Sequence, residues 1–267
     1  MPAVRQVTLD MPVQWLALGW RDMLRCGWLS LAHGFALAAF GLALFIAAHQ
    51  KFWLLAGAFS GFLVVAPVLA TSLYAMSRAL ERNEPVRLRL LRDTWLSWQH
   101  SRFLEHGGYW CLVRFGLLLA LAGTGWVLTS AALITLLAPV PINTPADFLR
   151  HVVLTPNHFL FEAWLAMGGV LAAPIFASSV VAIPLMLDRR TNLLPAVLTS
   201  WRVVLANPGV MALWSALIML LVLLGFATLL LGLVVLVPVL GHASWHAYRD
   251  LVDAQALPER GDATKRR

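Results

Sequence analysis

Between Arg202 and Arg249 the chain carries no Asp, Glu, Lys or Arg. A membrane-spanning helix takes about 20 apolar residues, and a soluble domain has no use for so long an uncharged run. The run closes in a polar, aromatic, histidine-bearing helix end, PVLGHASWHAYRD, residues 238–250. Composition agrees with a bilayer protein: 12% of residues are charged, against about 25% in soluble domains. The mean hydropathy is +0.76. A net charge of +7 on a soluble domain would suggest nucleic acid. No soluble basic domain exists here to carry that role. The excess arginine points to cytoplasmic segments beside anionic lipid, and nucleic acid is not expected as a partner.

In chain order, residues 1–26 predict an amphipathic interfacial helix. Its apolar face is Leu16, Trp20, Met23 and Leu24, and its polar face Gln14, Arg21 and Arg25. Packing on other cytoplasmic segments is the alternative for this helix. Spans follow at 28–48 and at 52–76, the second kinked by Pro67. A second amphipathic helix carries Leu88, Leu91, Trp95 and Trp98 opposite Arg89, Arg92, Asp93 and Gln99. The third span is 115–137, and residues 138–161 read as a Pro- and Asn-rich loop. The fourth is 164–187, with Pro174 and Pro184. A third amphipathic face follows at Leu194, Leu198, Trp201 and Leu205. The long apolar run then predicts a hairpin of two spans, 210–224 and 227–247, turning at Gly225. One tilted span is the alternative. No leader peptide is expected, because Arg5, Asp10, Arg21, Asp22 and Arg25 interrupt the first 25 residues. Cys26 and Cys111 form no CxxC motif.

Internal similarity organises these elements. Trp20-Arg21 with Leu24 reappears as Trp201-Arg202 with Leu205. Ala66-Pro67-Val68-Leu69-Ala70 reappears as Val237-Pro238-Val239-Leu240-Gly241, and Arg78 and Arg249 stand at the same distance beyond the two prolines. Ala173-Pro174-Ile175-Phe176-Ala177 is a weaker third copy. The expected fold is all-α. Six transmembrane helices form three hairpin repeats, each entered through an amphipathic interfacial helix: residues 1–84, 85–190 and 191–250, with a flexible cytoplasmic tail at 251–267. Of the 20 Lys and Arg, all but Lys51 and Arg150 fall on one side of such a topology. The positive-inside rule then places both termini in the cytoplasm.

Several stretches resemble a bacterial family of predicted integral membrane proteins of unknown function. They are VRQVTLDMP and WLALGWRDML near the start, SLYAMSRALE after the second span, IPLMLDRR with TSWRVVLANP, and PVLGHASWHAYRDLV. Some members of that family carry the name of a cytochrome c oxidase subunit. The resemblance covers nearly the whole chain. It implies a multi-pass protein of the bacterial inner membrane and supplies no activity.

His242 and His246 are four residues apart on one helix face, the spacing of a metal-binding pair. Interfacial histidines bonded to backbone or headgroups are the simpler reading. His33, near the cytoplasmic end of the first span, is the remaining candidate for a haem or metal site. No Asp, Glu, Lys or Arg lies deep in any expected span, which argues against a proton-coupled pump. Arg21, Arg78, Arg189, Arg190, Arg202 and Arg249 at the cytoplasmic span ends read as anchors, salt-bridge partners of neighbouring acids, or a patch for anionic lipid or a partner protein. No P-loop, GxSxG or HExxH spacing is present. The expectation is a non-enzymatic inner-membrane protein without cofactor that organises lipid or membrane-protein partners. The alternatives are a transporter or channel for an uncharged or amphiphilic solute, and a haem- or metal-binding accessory of respiration.

Overall fold

A computed structural model describes residues 1–48, 70–100, 110–155 and 159–260. His49, Lys51, the second span up to residue 69 with Pro67, His106, His158 and Lys265 to Arg267 lie outside the described residues. So do the side chains of Trp95, Trp98, Gln99 and His100. The described chain is helical, with one two-stranded ribbon. The helices are α1 (Met11–Cys26), α2 (Trp28–Ala48), α3 (described over 70–81), α4 (Leu88–His100), α5 (Trp110–Leu137), α6 (Pro145–Phe148), α7 (Leu160–Ser179), α8 (Ala182–Asp188), α9 (Leu193–Ala206), α10 (Pro208–Ala227) and α11 (Leu233–Leu251). Four stretches among the described residues are long and apolar enough to cross a membrane: Trp28–Ile46, Cys111–Leu137, Leu160–Asp188 and Pro208–Ala227.

Three boundaries differ from expectation. The span expected over 164–187, broken by Pro174 and Pro184, lies within the single membrane-competent stretch Leu160–Asp188, and its helical ladder is interrupted once, after Ser179. Pro174 sits inside α7 without breaking it, but the helix stops at Ser179. Val181 gives its backbone N–H to Ser200 Oγ. Pro184, in the first turn of α8, has no N–H to carry the previous ladder onward. The closing run is a helical hairpin, but it does not turn at Gly225. It turns at 228–232, where Leu229 and Leu230 take positive φ of 53° and 70°. Thr228 holds the turn: its hydroxyl donates to backbone carbonyls of the last turn of α10 and accepts from Gly232 N–H at 2.9 Å. Gly225 instead lies against Leu233 of the returning helix, where a Cβ would collide. The loop expected at 138–161 contains α6 and one π-helical turn, Leu149–Val153.

The chain divides into two compact units. The first comprises Met1–Ala38, Pro67–Phe115 and Ala177–Arg267, and the second Ala39–Ala66 and Gly116–Phe176. In the second, Trp164 is the packing centre. Its indole N–H donates to Ser130 Oγ at 2.6 Å. Its ring meets Trp126, Phe148 and Phe161 at centroid distances of 5.6, 5.4 and 6.2 Å. Ile134, Val152 and Leu160 close the cluster.

The first unit is built around α11. Close approach needs small residues, and a Cβ added at Gly19 of α1 would lie 2.7 Å from Ala243 N. Gly241 faces Leu73 of α3 with as little room. Trp15, Trp214, Trp245 and Tyr248 are fully buried there, and Trp15 meets Trp214 edge-on at 5.5 Å. The face expected for α1 is therefore split. Met23 packs inward with Trp15, whereas Trp20 and Leu24 stay exposed. On α9, likewise, Leu194, Leu198, Trp201 and Leu205 are exposed while Ala196, Thr199 and Val203 are buried.

The two ends of the described chain are tied together. Ala3–Val4 pairs antiparallel with Val252–Asp253, and Arg5 bonds Asp253 at 3.1 Å. Asn207 at the α9–α10 corner accepts from Val7 N–H and donates to Arg5 O. Residues 252–260, expected as the start of a flexible tail, are docked. Arg190 N donates to Pro258 O and Arg260 N to Asp188 O, both at 3.0 Å.

Candidate functional site

Two acids organise the polar interior of the first unit. The first is Asp22 on α1, 3% exposed. Its Oδ2 accepts from Ser77 Oγ and from His246 Nε2, each at 2.8 Å. A serine has one proton, and Ser77 spends it on Asp22. The bond at 2.7 Å between Ser77 Oγ and His242 Nδ1 therefore runs the other way, with Nδ1–H donating. That fixes the tautomer of His242 and leaves its Nε2 lone pair to accept from Ser30 Oγ. The result is a directed relay, Ser30 to His242 to Ser77 to Asp22, with His246 joining at the acid.

Burial works against the charge on Asp22, but the hydrogen bonds from His246 and Ser77 and the nearby imidazoles outweigh it. The carboxyl is held below its ordinary 3.8. Cys26, one turn on, shows the opposite balance. Burial, with Asp22 adding to it, pushes its thiol up to about 12, so Cys26 is inert packing and not a nucleophile.

The second acid is Asp188 at the end of α8, 2% exposed. Oδ1 receives Arg78 Nε at 3.0 Å, and Oδ2 receives Arg189 Nε at 3.0 Å and Tyr248 OH at 2.8 Å. Arg82 and Arg249 stand at 3.9 Å. Further acids share the load: Glu259 bonds Arg82 at 3.0 Å, and Glu81 bonds Arg249 at 2.8 Å and accepts from Trp245 Nε1. Burial, and then Asp188 beside it, pushes the Tyr248 phenol well above its ordinary value. Arg78 also binds Arg260 O at 2.9 Å, and Arg189 binds Leu257 O at 3.1 Å. These bonds clamp residues 257–260 onto the core.

Sequence elements far apart converge on these acids. Asp22 comes from WRDML, Ser77, Arg78 and Glu81 from SRALE, Asp188 and Arg189 from LDRR, and His242, His246, Tyr248 and Arg249 from the closing motif. Ser77 and Arg78 are adjacent on α3 and serve one acid each.

The candidate arginines fall into two groups. Arg78 and Arg189 are interior ion-pair partners, and Arg249 is a half-buried one. Arg202 reaches back to Pro2 O at 3.4 Å. Arg21 and Arg190 are exposed, and their guanidinium groups have no partner among the described residues. Arg21 borders a polar cleft of about 360 Å³ with Arg25, Glu81, His246, Arg249 and Asp250.

His242 and His246 do share a face, and they bond side chains of other helices, Ser30 and Ser77 for His242 and Asp22 for His246. Both ring nitrogens of His242 are engaged by serine hydroxyls. His33 spends Nδ1–H on Leu29 O at 2.7 Å. Among the described residues no three His, Cys, Asp or Glu side chains gather as a metal-ligand set.

In the sequence Asp22 and Asp188 stand out only as acids beside span-end arginines and Tyr248 only as a neighbour of His246, and Ser30, Ser77 and Glu81 do not stand out at all. The signal available for the acids was scarcity. Asp and Glu number 13 in all, and Asp22, Asp188 and Asp250 each stand immediately beside an arginine at a span end. Ser30 and Ser77 carry no such signal, because serine is ordinary in apolar helices.

No curated protein and no solved structure matches the chain. A family model described as "Predicted integral membrane protein (DUF2189)" matches residues 54–188, a stretch that holds Ser77, Arg78, Glu81 and Asp188. The chain belongs to this family of integral membrane proteins of unknown function.

Proposed function

We propose that the protein is a non-enzymatic organiser of lipid or membrane-protein partners at the cytoplasmic face of a bacterial inner membrane. One observation carries this reading: α1 and α9 keep Trp20, Leu24, Trp201 and Leu205 exposed at the ends of membrane-competent helices, with the free Arg21 beside them. Tryptophan and leucine beside arginine suit the headgroup layer, where rings and guanidinium groups both find partners. The polar relay, by contrast, is buried and spends its hydrogen bonds on itself.

Three helix groups, each opening on an amphipathic helix, support six spans in three repeats. They are α1 to α3, α4 to α8 and α9 to α11. The ribbon joining residues 3–4 to 252–253 supports termini on one side, and the arginine distribution supports the cytoplasm.

A photoreactive amino acid in place of Leu24 or Leu205, illuminated in native membranes, tests the reading. Adducts with phospholipid or with a second membrane protein are expected, and none from the buried Ala243. Crosslinks confined to the chain itself, or facilitated flux of a neutral solute through reconstituted vesicles, would overturn it.

A further inference from the structure

Neither acid hub uses the groove between α2 and α4. Ala32, His33 and Ala36 line one side, and Leu88, Arg89, Leu91 and Arg92 the other, around about 730 Å³. That lies within the roughly 300–1,000 Å³ of cavities that hold small molecules.

Its shape follows from the residues. Ala32 and Ala36 are one turn apart on α2, and their methyl groups leave a trough that Leu88 and Leu91 face from α4. Trp28–Ile46 is membrane-competent, and Ala36 lies about 12 Å along the helix from Trp28 at 1.5 Å per residue. A trough at that depth borders hydrocarbon, and hydrocarbon fills it in preference to water. The α4 rim is basic. Arg89 and Arg92 share a single carboxylate, Asp93, at 3.5 and 3.4 Å, and both remain mostly exposed. Arg87 just before them has no ion-pair partner among the described residues. Apolar floor and net positive rim complement one kind of molecule, a lipid with an anionic head.

We infer that this groove is a binding site for an anionic phospholipid, with one acyl chain along Ala32 and Ala36 and the phosphate on Arg89 and Arg92. The inference rests on the lipid-organising reading above and gives it a place and a lipid class. Phosphate–guanidinium bonding is charge-assisted and screened by salt, so occupancy falls as ionic strength rises.

The test is native mass spectrometry of the full chain in mild detergent, offered phosphatidylglycerol or phosphatidylcholine of the same acyl chains. Wild type is expected to retain phosphatidylglycerol selectively. R89Q/R92Q is expected to lose that selectivity by roughly thirtyfold, since each arginine near a headgroup contributes about fivefold. A36L is expected to lose bound lipid of either kind by filling the trough without altering charge. The arginines are exposed, so R89Q/R92Q keeps its fold, checked by circular dichroism, and decides the matter even if A36L misfolds. Undiminished selectivity in R89Q/R92Q would overturn the site. So would displacement of the lipid by soluble glycerol 3-phosphate, or a photoreactive residue at position 36 that crosslinks only to this chain. Selective retention that survives every groove variant sinks the site and leaves the wider reading standing. Crosslinks confined to this chain from positions 24, 205 and 36 alike sink both.

Discussion

Asp22 and Asp188 are both almost fully buried, and both receive partners from α3 and α11, yet they solve opposite problems. Asp22 stands among hydroxyls and imidazoles, and every bond it accepts has a fixed direction. Asp188 stands among arginines, and one carboxylate answers four guanidinium groups at 3.0 to 3.9 Å. The first centre is limited by geometry: each proton has one place to go. The second is limited by charge, because cations exceed anions and the acid is the scarce component. A buried charge left alone costs more than a buried hydrogen bond left unmade. The two centres should therefore fail differently.

The largest effect is expected at Asp188. Asp188→Ala leaves Arg78 and Arg189 buried without their anion and should cost about 3–5 kcal/mol. Thermal unfolding in detergent, with proteolysis at residues 252–260 as a second readout, would show it. A loss under about 1 kcal/mol would mean that Glu81 and Glu259 can replace the acid, and that the charge-limited description is wrong. Asp22→Asn keeps the shape and removes the charged acceptor of two hydrogen bonds. About 1.5–3 kcal/mol is expected from the same measurement. Ser77→Ala should cost about 1–3 kcal/mol, because it strands His242 Nδ1–H and one lone pair of Asp22 together. Double-mutant cycles sharpen the contrast. Ser77 and Asp22 should couple strongly, whereas Arg82 and Asp188, 3.9 Å apart, should couple weakly.

Acid and alkali should separate the centres without mutation. The Asp22 carboxyl is lowered in the folded protein, so its contribution is present above the ordinary 3.8 and is lost as pH falls through the folded value. Tyr248 is raised, so its contribution is complete below the ordinary 10.0 and is lost as pH rises above it. Asp22→Asn should flatten the acid limb of a stability–pH curve, and Tyr248→Phe the alkaline limb. One variant flattening both would show the centres to be a single unit. The smallest effect is expected at Trp214, whose buried indole N–H has no partner among the described residues. Trp214→Phe removes no hydrogen bond and should change stability by under about 1.5 kcal/mol, apart from the volume lost beside Trp15.

Much of this architecture is legible in the sequence, and unevenly so. The stretch 28–48 is helical throughout as α2, because apolar length alone determines a membrane-competent helix. The exposed face of α9, Leu194, Leu198, Trp201 and Leu205, follows from helical periodicity. Helix ends that depend on other helices do not: the break before α8 needs Ser200, and the 228–232 turn needs the Thr228 hydroxyl. On α1 the periodicity shows one apolar face where the structure has two, since Met23 meets protein and Trp20 does not. At the candidate site, the His242–His246 spacing puts both rings on the α11 face that meets Ser77 and Asp22. Its meaning lay with Ser30, Ser77 and Asp22, whose proximity no local pattern encodes. Opposite charges at span ends did point to salt bridges. That Asp188 would gather arginines from three segments is a property of the packed helices.

The pairing of α1 with α11 has a consequence for how the protein is made. Asp22 and His246 are separated by 224 residues. At about 5–20 residues per second of synthesis, Asp22 waits roughly 10–45 s for that partner. Ser30 and Ser77 arrive early, but the imidazoles that orient them arrive last. Among the described helices α1 is made before all the others and is completed by α11, and the ribbon between residues 3–4 and 252–253 closes only when both are present. Until then Gly19 faces no Ala243, and a ready-made slot for a helix stands open at the membrane surface. A chain truncated before α11 would present that slot permanently, which makes it a natural substrate for membrane quality control.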